Sequence, residues 1–390
     1  MKKKIIFVSQ ALWVGGIESA LVNLLNALDY ERYNISCLIL QDYQDMAYRI
    51  PKACKLLVAD RGHTVSFKEK YRWSCLFNLM EEPQNASSFR RWVWRVLCLL
   101  LKAPEAILYS RYIKRQLGGT EYDTAIIYSD VASEIAVRAV SAKRFLMFYH
   151  HGAMRRVYHD SFGYKNSEAV VTVSPSQADL LRDFVPQYAK KIRVIPNLID
   201  VDDILARSCR EPNILFPKEG FHIVTCGRLS REKGMDLAVQ ACSILVKRGY
   251  GNLHWWLIGG GPMTEELQDM AKSLQMEEHI HFLGMQSNPY PYIRQGDLAV
   301  QPSRFEGHCV AIMEYKLLGK PIVSTQAAAK EQITDGINGL LCETDASALA
   351  DRIETLLKDT SLLQRLYDAS AKESFEKQNA DAVKQIEMLI

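Results

Sequence analysis

The chain has 390 residues, a mass of 44.4 kDa and a formal net charge of +3, a length at which proteins usually form two domains of about 100–200 residues each. Its hydrophobic fraction of 48% and charged fraction of 24% exclude a disordered, collagen-like or coiled-coil protein. The nine cysteines are odd in number and include no Cys-x-x-Cys pair, which argues against a disulfide framework and a cysteine-rich zinc site. We therefore expect a globular protein of the reducing cytoplasm.

Charge is distributed unevenly along the chain. Residues 1–200 contain 28 lysines and arginines against 19 aspartates and glutamates, whereas residues 201–390 contain 20 against 26. The two halves are expected to face different partners, neither of them a nucleic acid. An apolar stretch at 92–101 is interrupted by Arg95 and is shorter than the roughly 20 residues that a membrane span needs. The first apolar run ends at Ser9, too early for a signal peptide, and is interpreted as a buried strand.

Short apolar runs alternate with longer amphipathic segments, which is typical of parallel strands covered by helices on both faces. In the first half the predicted strands are Lys4–Ser9, Asn34–Leu40, Lys55–Ala59, Thr124–Tyr128, Arg144–Tyr149, Ala169–Ser174 and Ile192–Ile195. In the second half they are His222–Cys226, His254–Ile258, Ile280–Leu283, Leu298–Gln301, Ile322–Ser324 and Leu340–Cys342. Helices are predicted between strands, among them Met235–Lys247, Thr264–Ser273 and Cys309–Leu318. Two such β/α halves indicate an α/β protein with two doubly wound domains.

Residues 61–117 depart from this alternation, with eleven lysines and arginines against four acidic residues. They include an amphipathic stretch that carries Arg90, Arg91, Trp92, Trp94 and Arg95. Such a helix can lie in a membrane interface, with its aromatic side chains in the lipid and its arginines beside anionic headgroups. An ordinary domain helix with an aromatic core stripe explains the pattern as well, and both interpretations stay open.

The loop after the first strand contains Gly15 and Gly16, just before a helix predicted to start near Ile17. Paired glycines let the backbone approach a ligand closely and the helix N-terminus attracts phosphate, although a tight turn explains the pair equally well. Because the chain has neither a Gly-x-Gly-x-x-Gly nor a Walker motif, dinucleotide-binding and P-loop functions lose support.

Two cations, Arg228 and Lys233, lie five residues apart on the loop before the helix that begins at Met235. Arginine offers a planar fork for diphosphate oxygens and lysine offers a mobile point charge, so the pair suits a pyrophosphate. A solvated basic loop is the alternative.

A third cluster follows the strand predicted at 298–301. Glu306 lies on the loop, Gly307 permits close approach, and a helix that starts near His308 presents free N–H groups to an anion. Glu314 follows about two turns into that helix, roughly 9 Å along its axis, where one carboxylate can accept from both hydroxyls of a ribose. A nucleoside diphosphate lying along the helix is predicted, and the alternative is two glutamates that only satisfy the helix dipole and solvent.

In combination, Gly15-Gly16, Arg228, Lys233 and the Glu306-x7-Glu314 spacing resemble the retaining glycosyltransferases of family 4, which have the GT-B fold. Four further stretches match the family in order, at 195–200 (IPNLID), 257–262 (LIGGGP), 282–284 (FLG) and 331–336 (EQITDG). The resemblance is strong over 192–345 and weak over 41–120, where acceptor recognition is expected.

The resemblance implies two Rossmann-like domains facing a central cleft. Residues 1–197 would form an acceptor-binding domain that includes the basic segment 61–117, and residues 198–372 would form the nucleotide-sugar-binding domain. Residues 373–390 would form a helix that crosses back to the first domain.

The same resemblance implies a role for each site residue. Arg228 and Lys233 bind the donor diphosphate and stabilise the leaving group, Glu314 holds the ribose, and Glu306 contacts hydroxyls of the donor sugar. The remaining donor contacts are implied at Gly15 and Gly16, at Met285 and Gln286 beside the base, and along the backbone of Gly307, His308, Cys309 and Val310.

His151, in the sequence Tyr149-His-His-Gly152, matches a strand-end histidine of the family that contacts the donor sugar near the reacting carbon, with His150 as its rival. A zinc site is not expected here, because adjacent histidine side chains diverge and no carboxylate or cysteine completes the spacing. Asp200-Val-Asp202 has the form of a metal-binding DxD motif, but its place before a predicted helix favours capping.

The resemblance implies a retaining, metal-independent enzyme with no cofactor. It would move a sugar from a nucleotide-sugar donor, a UDP-sugar in most of the family, to a lipid-linked or polysaccharide acceptor in cell-surface glycan synthesis. It would work in the cytoplasm, peripherally on the inner face of the membrane. A nucleotide-sugar epimerase of the same fold and an inactive sugar-nucleotide-binding subunit are the alternatives. The first needs acid–base groups that the motifs do not resemble, and the second should have lost one of four charged residues that are all present.

Overall fold

The computed structural model describes residues 2–59, 107–129, 133–150 and 161–390. The chain divides into two compact units. Unit 1 comprises Met1–Val14, Leu24–Ile195 and Val383–Ile390, and unit 2 comprises Gly15–Asn23 and Pro196–Ala382. The units part between Ile195 and Pro196, two residues before the boundary expected from the sequence, and the last helix is divided between them.

Unit 1 contains a seven-stranded parallel sheet in the order β3-β2-β1-β4-β5-β6-β7. Its strands are β1 Lys3–Ser9, β2 Tyr33–Ile39, β3 Lys55–Val58, β4 Glu121–Ile127, β5 Ser141–Tyr149, β6 Ala169–Thr172 and β7 Ile192–Val194. The helices of this part of the chain are Gly16–Ala27, 107–116, Ser133–Ala139, Ser161–Asn166 and Pro175–Phe184, with 3-10 turns at Ala47–Arg49 and Pro186–Lys191. Four successive residues of β1, from Ile5 to Val8, are fully buried, as expected for a central strand covered on both faces.

Unit 2 contains a six-stranded parallel sheet in the order β10-β9-β8-β11-β12-β13. Its strands are β8 Phe221–Cys226, β9 Leu253–Ile258, β10 Ile280–Gly284, β11 Leu298–Gln301, β12 Ile322–Thr325 and β13 Leu340–Cys342. The helices of the second half of the chain are Val201–Ser208, Met235–Lys247, Thr264–Ser273, Tyr290–Gln295, Val310–Leu317, Gln326–Ala329, Ala346–Lys358, Thr360–Ala371 and the divided helix Glu376–Leu389, with a 3-10 turn at Arg231–Lys233.

The sheet of unit 2 has an apolar core on each side. Trp255 and Leu257 of β9 belong to one buried cluster, and the alternate residues Trp256 and Ile258 belong to the other. Because successive side chains of a strand point to opposite faces, a strand buried on both faces is a continuous apolar run in the sequence.

All thirteen predicted strands are present, with ends shifted by at most three residues. The helix predicted at Cys309–Leu318 begins one residue later, at Val310. Among the described residues no helix is long and apolar enough to cross a bilayer. The amphipathic stretch with Arg90, Arg91, Trp92, Trp94 and Arg95 lies outside the described residues, so its membrane contact stays a prediction.

Candidate functional site

The strand order of unit 2 reverses between β8 and β11, which are neighbours in the sheet although two strands separate them in sequence. In open α/β sheets ligands bind outside the carboxyl ends of the strands at such a switch point. Arg228 and Lys233 follow β8, and Glu306 follows β11. The topology therefore brings together two clusters that are more than 70 residues apart in the chain.

Lys233 and Glu306 form an ion pair at this switch point. The Lys233 Nζ lies 2.6 Å and 2.8 Å from the two carboxylate oxygens of Glu306, and the two side chains are 27% and 11% exposed. Burial lowers the pKa of Lys233, but the charge and hydrogen bonds of Glu306 outweigh it and hold that pKa above its ordinary value. The site therefore holds a charged, oriented ammonium group.

The Glu306 carboxylate has a second partner on its own loop. Ser303 Oγ donates to Glu306 Oε1 at 2.7 Å, and Gln301 Nε2 donates to Ser303 Oγ at 2.8 Å. The buried Tyr315 hydroxyl contacts Gln301 Oε1 at 3.4 Å and accepts from the backbone N–H of Cys226 at 2.7 Å. This chain of hydrogen bonds joins the ends of β8 and β11, so Glu306 is fixed by more than its lysine partner.

The loop that carries Glu306 is also tied to the helix Met235–Lys247. Arg304 forms a bidentate ion pair with Asp236, in which both hydrogen bonds are 2.7 Å long. The backbone N–H of Arg304 donates to the carbonyl of Glu232. Gly234 begins this helix with a φ of 66°, and a Cβ there would lie 2.0 Å from the carbonyl oxygen of Pro302. Only glycine permits this close contact between the two loops.

The helix Val310–Leu317 begins beside this loop without a side-chain cap. The backbone N–H of Cys309 is taken by Gln332 Oε1 at 2.9 Å, and Gln332 Nε2 donates to the Cys309 carbonyl at 3.0 Å. Within the described part of the chain, no backbone partner is found for the N–H groups of Gly307 and His308. These two groups, rather than that of Cys309, are available to an anion at the helix start.

His308 itself is partly buried, and desolvation of its ring lowers its pKa to about 4. Its Nδ1 has no hydrogen-bond partner within the described residues. The imidazole is therefore neutral at pH 7. Burial also raises the pKa of the neighbouring Cys309 thiol to about 12, so that thiol is not a nucleophile.

Glu314 lies on the helix Val310–Leu317, four residues after its start, and is 9% exposed. The Tyr290 hydroxyl donates to Glu314 Oε1 at 3.0 Å. The sequence placed Glu314 about two turns into the helix. Because the helix begins at Val310, Glu314 lies about one turn from its start, roughly 6 Å along the axis.

Arg228 is exposed, in contrast to Lys233. Its charge acts on Glu18, a residue that groups with unit 2; burial raises the pKa of Glu18 and the Arg228 charge opposes that rise. A Cβ at Gly15 would lie 2.5 Å from Glu18 Oε2, and a Cβ at Gly16 would lie 4.0 Å from Val310 Cγ2. The sequence did not assign a role to Glu18, although it lies only two residues after Gly16.

Met285 and Gln286 follow β10. The Met285 side chain is 64% exposed, and Gln286 Nε2 donates to the Leu283 carbonyl at 2.6 Å. Gly259 has a φ of 145°, and a Cβ there would lie 1.9 Å from the carbonyl oxygen of Gly227. The turn after β9 thus packs against the start of the loop that carries Arg228.

His151 lies outside the described residues, so its role stays a prediction. The ring centroid of His150, the alternative candidate, lies 4.6 Å from the ring centroid of Tyr128. Asp200 caps the helix Val201–Ser208, since its Oδ1 accepts from the backbone N–H of Asp203 at 3.1 Å, which confirms the capping interpretation of the DxD sequence. In the described part of the chain no group of three or more His, Cys, Asp or Glu is placed to hold a metal ion.

Two family models match the chain, one to each half. Residues 14–203 match the model described as Glycosyltransferase Family 4, and residues 220–359 match the model described as Glycosyl transferases group 1. The second match contains Arg228, Lys233, Glu306 and Glu314.

Curated proteins give partial matches. The lipopolysaccharide core biosynthesis glycosyltransferase LpsE of Rhizobium meliloti is 27% identical over 205 residues, which are 52% of this chain and 58% of that protein. The N-acetylgalactosamine-N,N'-diacetylbacillosaminyl-diphospho-undecaprenol 4-alpha-N-acetylgalactosaminyltransferase of Campylobacter jejuni is 28% identical over 206 residues, 51% of this chain and 54% of that protein. The chain thus spans just over half the length of these curated relatives.

Solved structures match over nearly the whole chain. A mutant of S. aureus TarM, crystallised with Fondaparinux, alpha-GlcNAc-glycerol and UDP, matches with a TM-score of 0.73 at 13% identity over 99% of each chain. Alr3699/HepE of Anabaena, crystallised with UDP and glucose, has a TM-score of 0.70 at 17% identity, covering 99% of this chain and 98% of that chain. At these identities the likeness shows a shared fold.

Proposed function

Because the chain belongs to the family-4 glycosyltransferases and has their GT-B fold, we propose that it transfers a sugar, with retention of configuration, from a nucleotide sugar to a lipid-linked or polysaccharide acceptor. The observation that carries this proposal is the ion pair of Lys233 with Glu306 at the switch point of unit 2, beside the open start of the helix that bears Glu314. A cation, an anion-binding helix end and a buried carboxylate in this order suit a diphosphate, its sugar and its ribose.

The donor is proposed to be a UDP-sugar. TarM and HepE, whose fold this chain shares, were both crystallised with UDP. Here the exposed Met285 and the neighbouring Gln286 would flank the base, and Glu314 would accept from the ribose hydroxyls.

The chemical step follows from charge. The bond between the anomeric carbon and the β-phosphate oxygen breaks, and its electron pair leaves with the nucleoside diphosphate. Lys233, Arg228 and the N–H groups of Gly307 and His308, just before the helix Val310–Leu317, would place positive potential where this negative charge develops. Such fixed cations would replace a divalent metal ion, so the reaction is proposed to need neither a metal nor a cofactor.

The acceptor would attack from the face that the leaving group vacates, which retains the configuration. The acceptor oxygen bonds to the anomeric carbon and its proton passes to the departing phosphate oxygen. Glu306 would hold hydroxyls of the donor sugar, and His151 would contact the sugar near the reacting carbon. The hydrogen bond from Ser303 supports the Glu306 role, because it keeps the carboxylate oriented when Lys233 turns to the phosphate.

A lipid-linked or polysaccharide acceptor is supported by two relatives, a glycosyltransferase of lipopolysaccharide core biosynthesis and one that acts on a diphospho-undecaprenol glycan. Such acceptors lie at a membrane surface. We therefore place the protein peripherally on the cytoplasmic face, with the segment 61–117 as the contact.

Thermal unfolding in the presence of UDP-, GDP- and dTDP-sugars tests the proposal. A ligand at 100 times its dissociation constant adds about 2.7 kcal/mol to the free energy of unfolding. We expect UDP-sugars to raise the melting temperature, and Lys233→Ala to remove most of that rise. No shift with any nucleotide sugar would contradict a donor site.

A further inference from the structure

A buried tyrosine contacts the carboxylate proposed to bind ribose. Tyr290 begins the helix Tyr290–Gln295 and is 3% exposed. Its hydroxyl donates to Glu314 Oε1 at 3.0 Å, across 24 residues of sequence. The bond joins the helix after β10 to the helix after β11.

The ring of Tyr290 is itself held in place. The Arg207 guanidinium lies over it, 4.9 Å from the ring centroid, and the Arg207 side chain is only 6% exposed. Arg207 donates to Asp203 at 3.3 Å and to the carbonyl of Ser287. A tyrosine packed under a buried, hydrogen-bonded arginine has little freedom to rotate its ring.

We propose that Tyr290 is a positioning residue for nucleotide recognition, which fixes the Glu314 carboxylate to receive the two hydroxyls of the nucleotide ribose. The proposal rests on the ribose role of Glu314 proposed above. A glutamate side chain that is ordered only when a ligand binds loses rotamer entropy at that moment, whereas a carboxylate oriented beforehand does not. The tyrosine bonds to one of the two carboxylate oxygens, Oε1, and a carboxylate has about four acceptor sites in all.

The same helix offers a matched control. Tyr292 is also 3% exposed, but its hydroxyl accepts from the backbone N–H of Asn213 at 3.3 Å. Tyr290→Phe and Tyr292→Phe each remove one buried hydroxyl from one short helix. Only Tyr290→Phe removes a hydrogen bond to Glu314. A general loss of stability should therefore appear in both variants, whereas a loss of ribose recognition should appear only in Tyr290→Phe.

The test is calorimetric titration of the wild type, Tyr290→Phe, Tyr292→Phe and Glu314→Gln. The ligands are UDP and 2′-deoxy-UDP, or GDP and 2′-deoxy-GDP if the thermal panel selects guanine. We expect Tyr290→Phe to weaken binding of the ribonucleotide about threefold to tenfold, as the loss of one hydrogen bond does, and to weaken the deoxynucleotide less. The preference for ribose should therefore shrink. In steady-state assays the donor KM should rise while kcat stays unchanged, because ribose contacts are equal in ground and transition states.

The outcomes distinguish a failure of the positioning role of Tyr290 from a failure of the ribose role of Glu314. If Glu314→Gln loses the preference for ribose and Tyr290→Phe keeps it, or if both phenylalanine variants lose it equally, Tyr290 does not position Glu314. If Glu314→Gln keeps the preference, or if the panel selects dTDP, which lacks the 2′-hydroxyl, the ribose role of Glu314 is wrong and the inference is overturned with it.

Discussion

The Lys233 ammonium and the Glu306 carboxylate, which the family resemblance assigns to different parts of the donor, are bonded to each other at 2.6 Å and 2.8 Å. A donor that takes Lys233 onto its diphosphate must therefore compete with Glu306. In the proposed mechanism the carboxylate would then be released toward the sugar, still held by Ser303. With these proposed roles, the ion pair would couple binding of the diphosphate to the arrangement of the sugar subsite.

Glu306→Gln should separate these two effects. Lys233 no longer has to leave a charged partner, so UDP without a sugar should bind about fivefold more tightly, which corresponds to about 1 kcal/mol. Turnover of the UDP-sugar should fall, because the sugar loses its carboxylate contact. Calorimetry and a UDP-release assay on the same preparation measure both. Weaker UDP binding in this variant would show that Glu306 does not compete for the lysine.

Arg228→Ala and Lys233→Ala should each lower turnover by about 10²-fold or more, because both remove fixed positive charge from the place where the leaving group develops negative charge. Arg231→Ala is the matched control: the residue is an exposed cation on the same loop. It should keep turnover within about twofold. Equal losses in all three variants would indicate a general effect of loop charge instead of two specific contacts.

Stability should depend on pH through a pair of histidines in unit 2. His254 Nδ1 and His281 Nε2 lie 3.1 Å apart on adjacent strands. Burial, and then the charge of His254, lowers the pKa of His281 to about 4, and burial also lowers the pKa of His254. An unfolded histidine has a pKa of about 6.5, so between pH 6.5 and 4 the unfolded chain binds more protons.

The free energy of unfolding should therefore fall as pH drops through this window. Above it, these two histidines should add no further pH dependence to the free energy of unfolding. Thermal unfolding at pH 7.5 and pH 5 measures the difference. His281→Gln should reduce the acid loss of stability without removing it, because desolvation lowers the pKa of His308 in the same direction. A melting temperature that rises on acidification would contradict the sign.

The sequence predicted the strands of both sheets because each is a continuous apolar run, and it predicted that Lys233, Glu306 and Glu314 belong to one kind of site. It could not predict that Lys233 bonds to Glu306, since that contact depends on the switch in strand order between β8 and β11. The sequence also placed the start of the helix that carries Glu314 near His308. In the structure the Cys309 N–H donates to Gln332 and the helix begins at Val310.

Other supports of the site have no signature of their own in the sequence. Tyr290 and Tyr315 are two aromatic residues among many, and only the fold shows that their hydroxyls reach Glu314 and the end of β8. Arg304 could have been noticed as an unpaired cation in the loop, but its partner Asp236 is 68 residues away. Long-range polar pairs of this kind depend on packing that periodicity does not encode.

The amphipathic stretch predicts binding to anionic membranes. Basic residues near such a surface contribute about 1 kcal/mol each and are screened by salt. Sedimentation with vesicles should show binding that needs anionic lipid, falls steeply with salt and is lost on changing Arg90, Arg91 and Arg95 to Glu. Changing the same three residues to Lys keeps the charge and should keep the binding. Equal binding to neutral vesicles, or unchanged binding of the Glu variant, would support a core helix instead.

In the proposed mechanism, Lys233, Arg228 and the start of the helix Val310–Leu317 drive departure of a nucleoside diphosphate without a metal ion. The most direct measurement is UDP release from a panel of UDP-sugars in EDTA, with and without a lipid-linked glycan extract as acceptor. We predict release that the acceptor accelerates, that EDTA leaves unchanged and that Lys233→Ala lowers by about 10²-fold. Release that stops in EDTA and returns with Mg²⁺ or Mn²⁺ would show that the reaction needs a metal ion. A product that is an epimerised nucleotide sugar would show that the protein is not a glycosyltransferase.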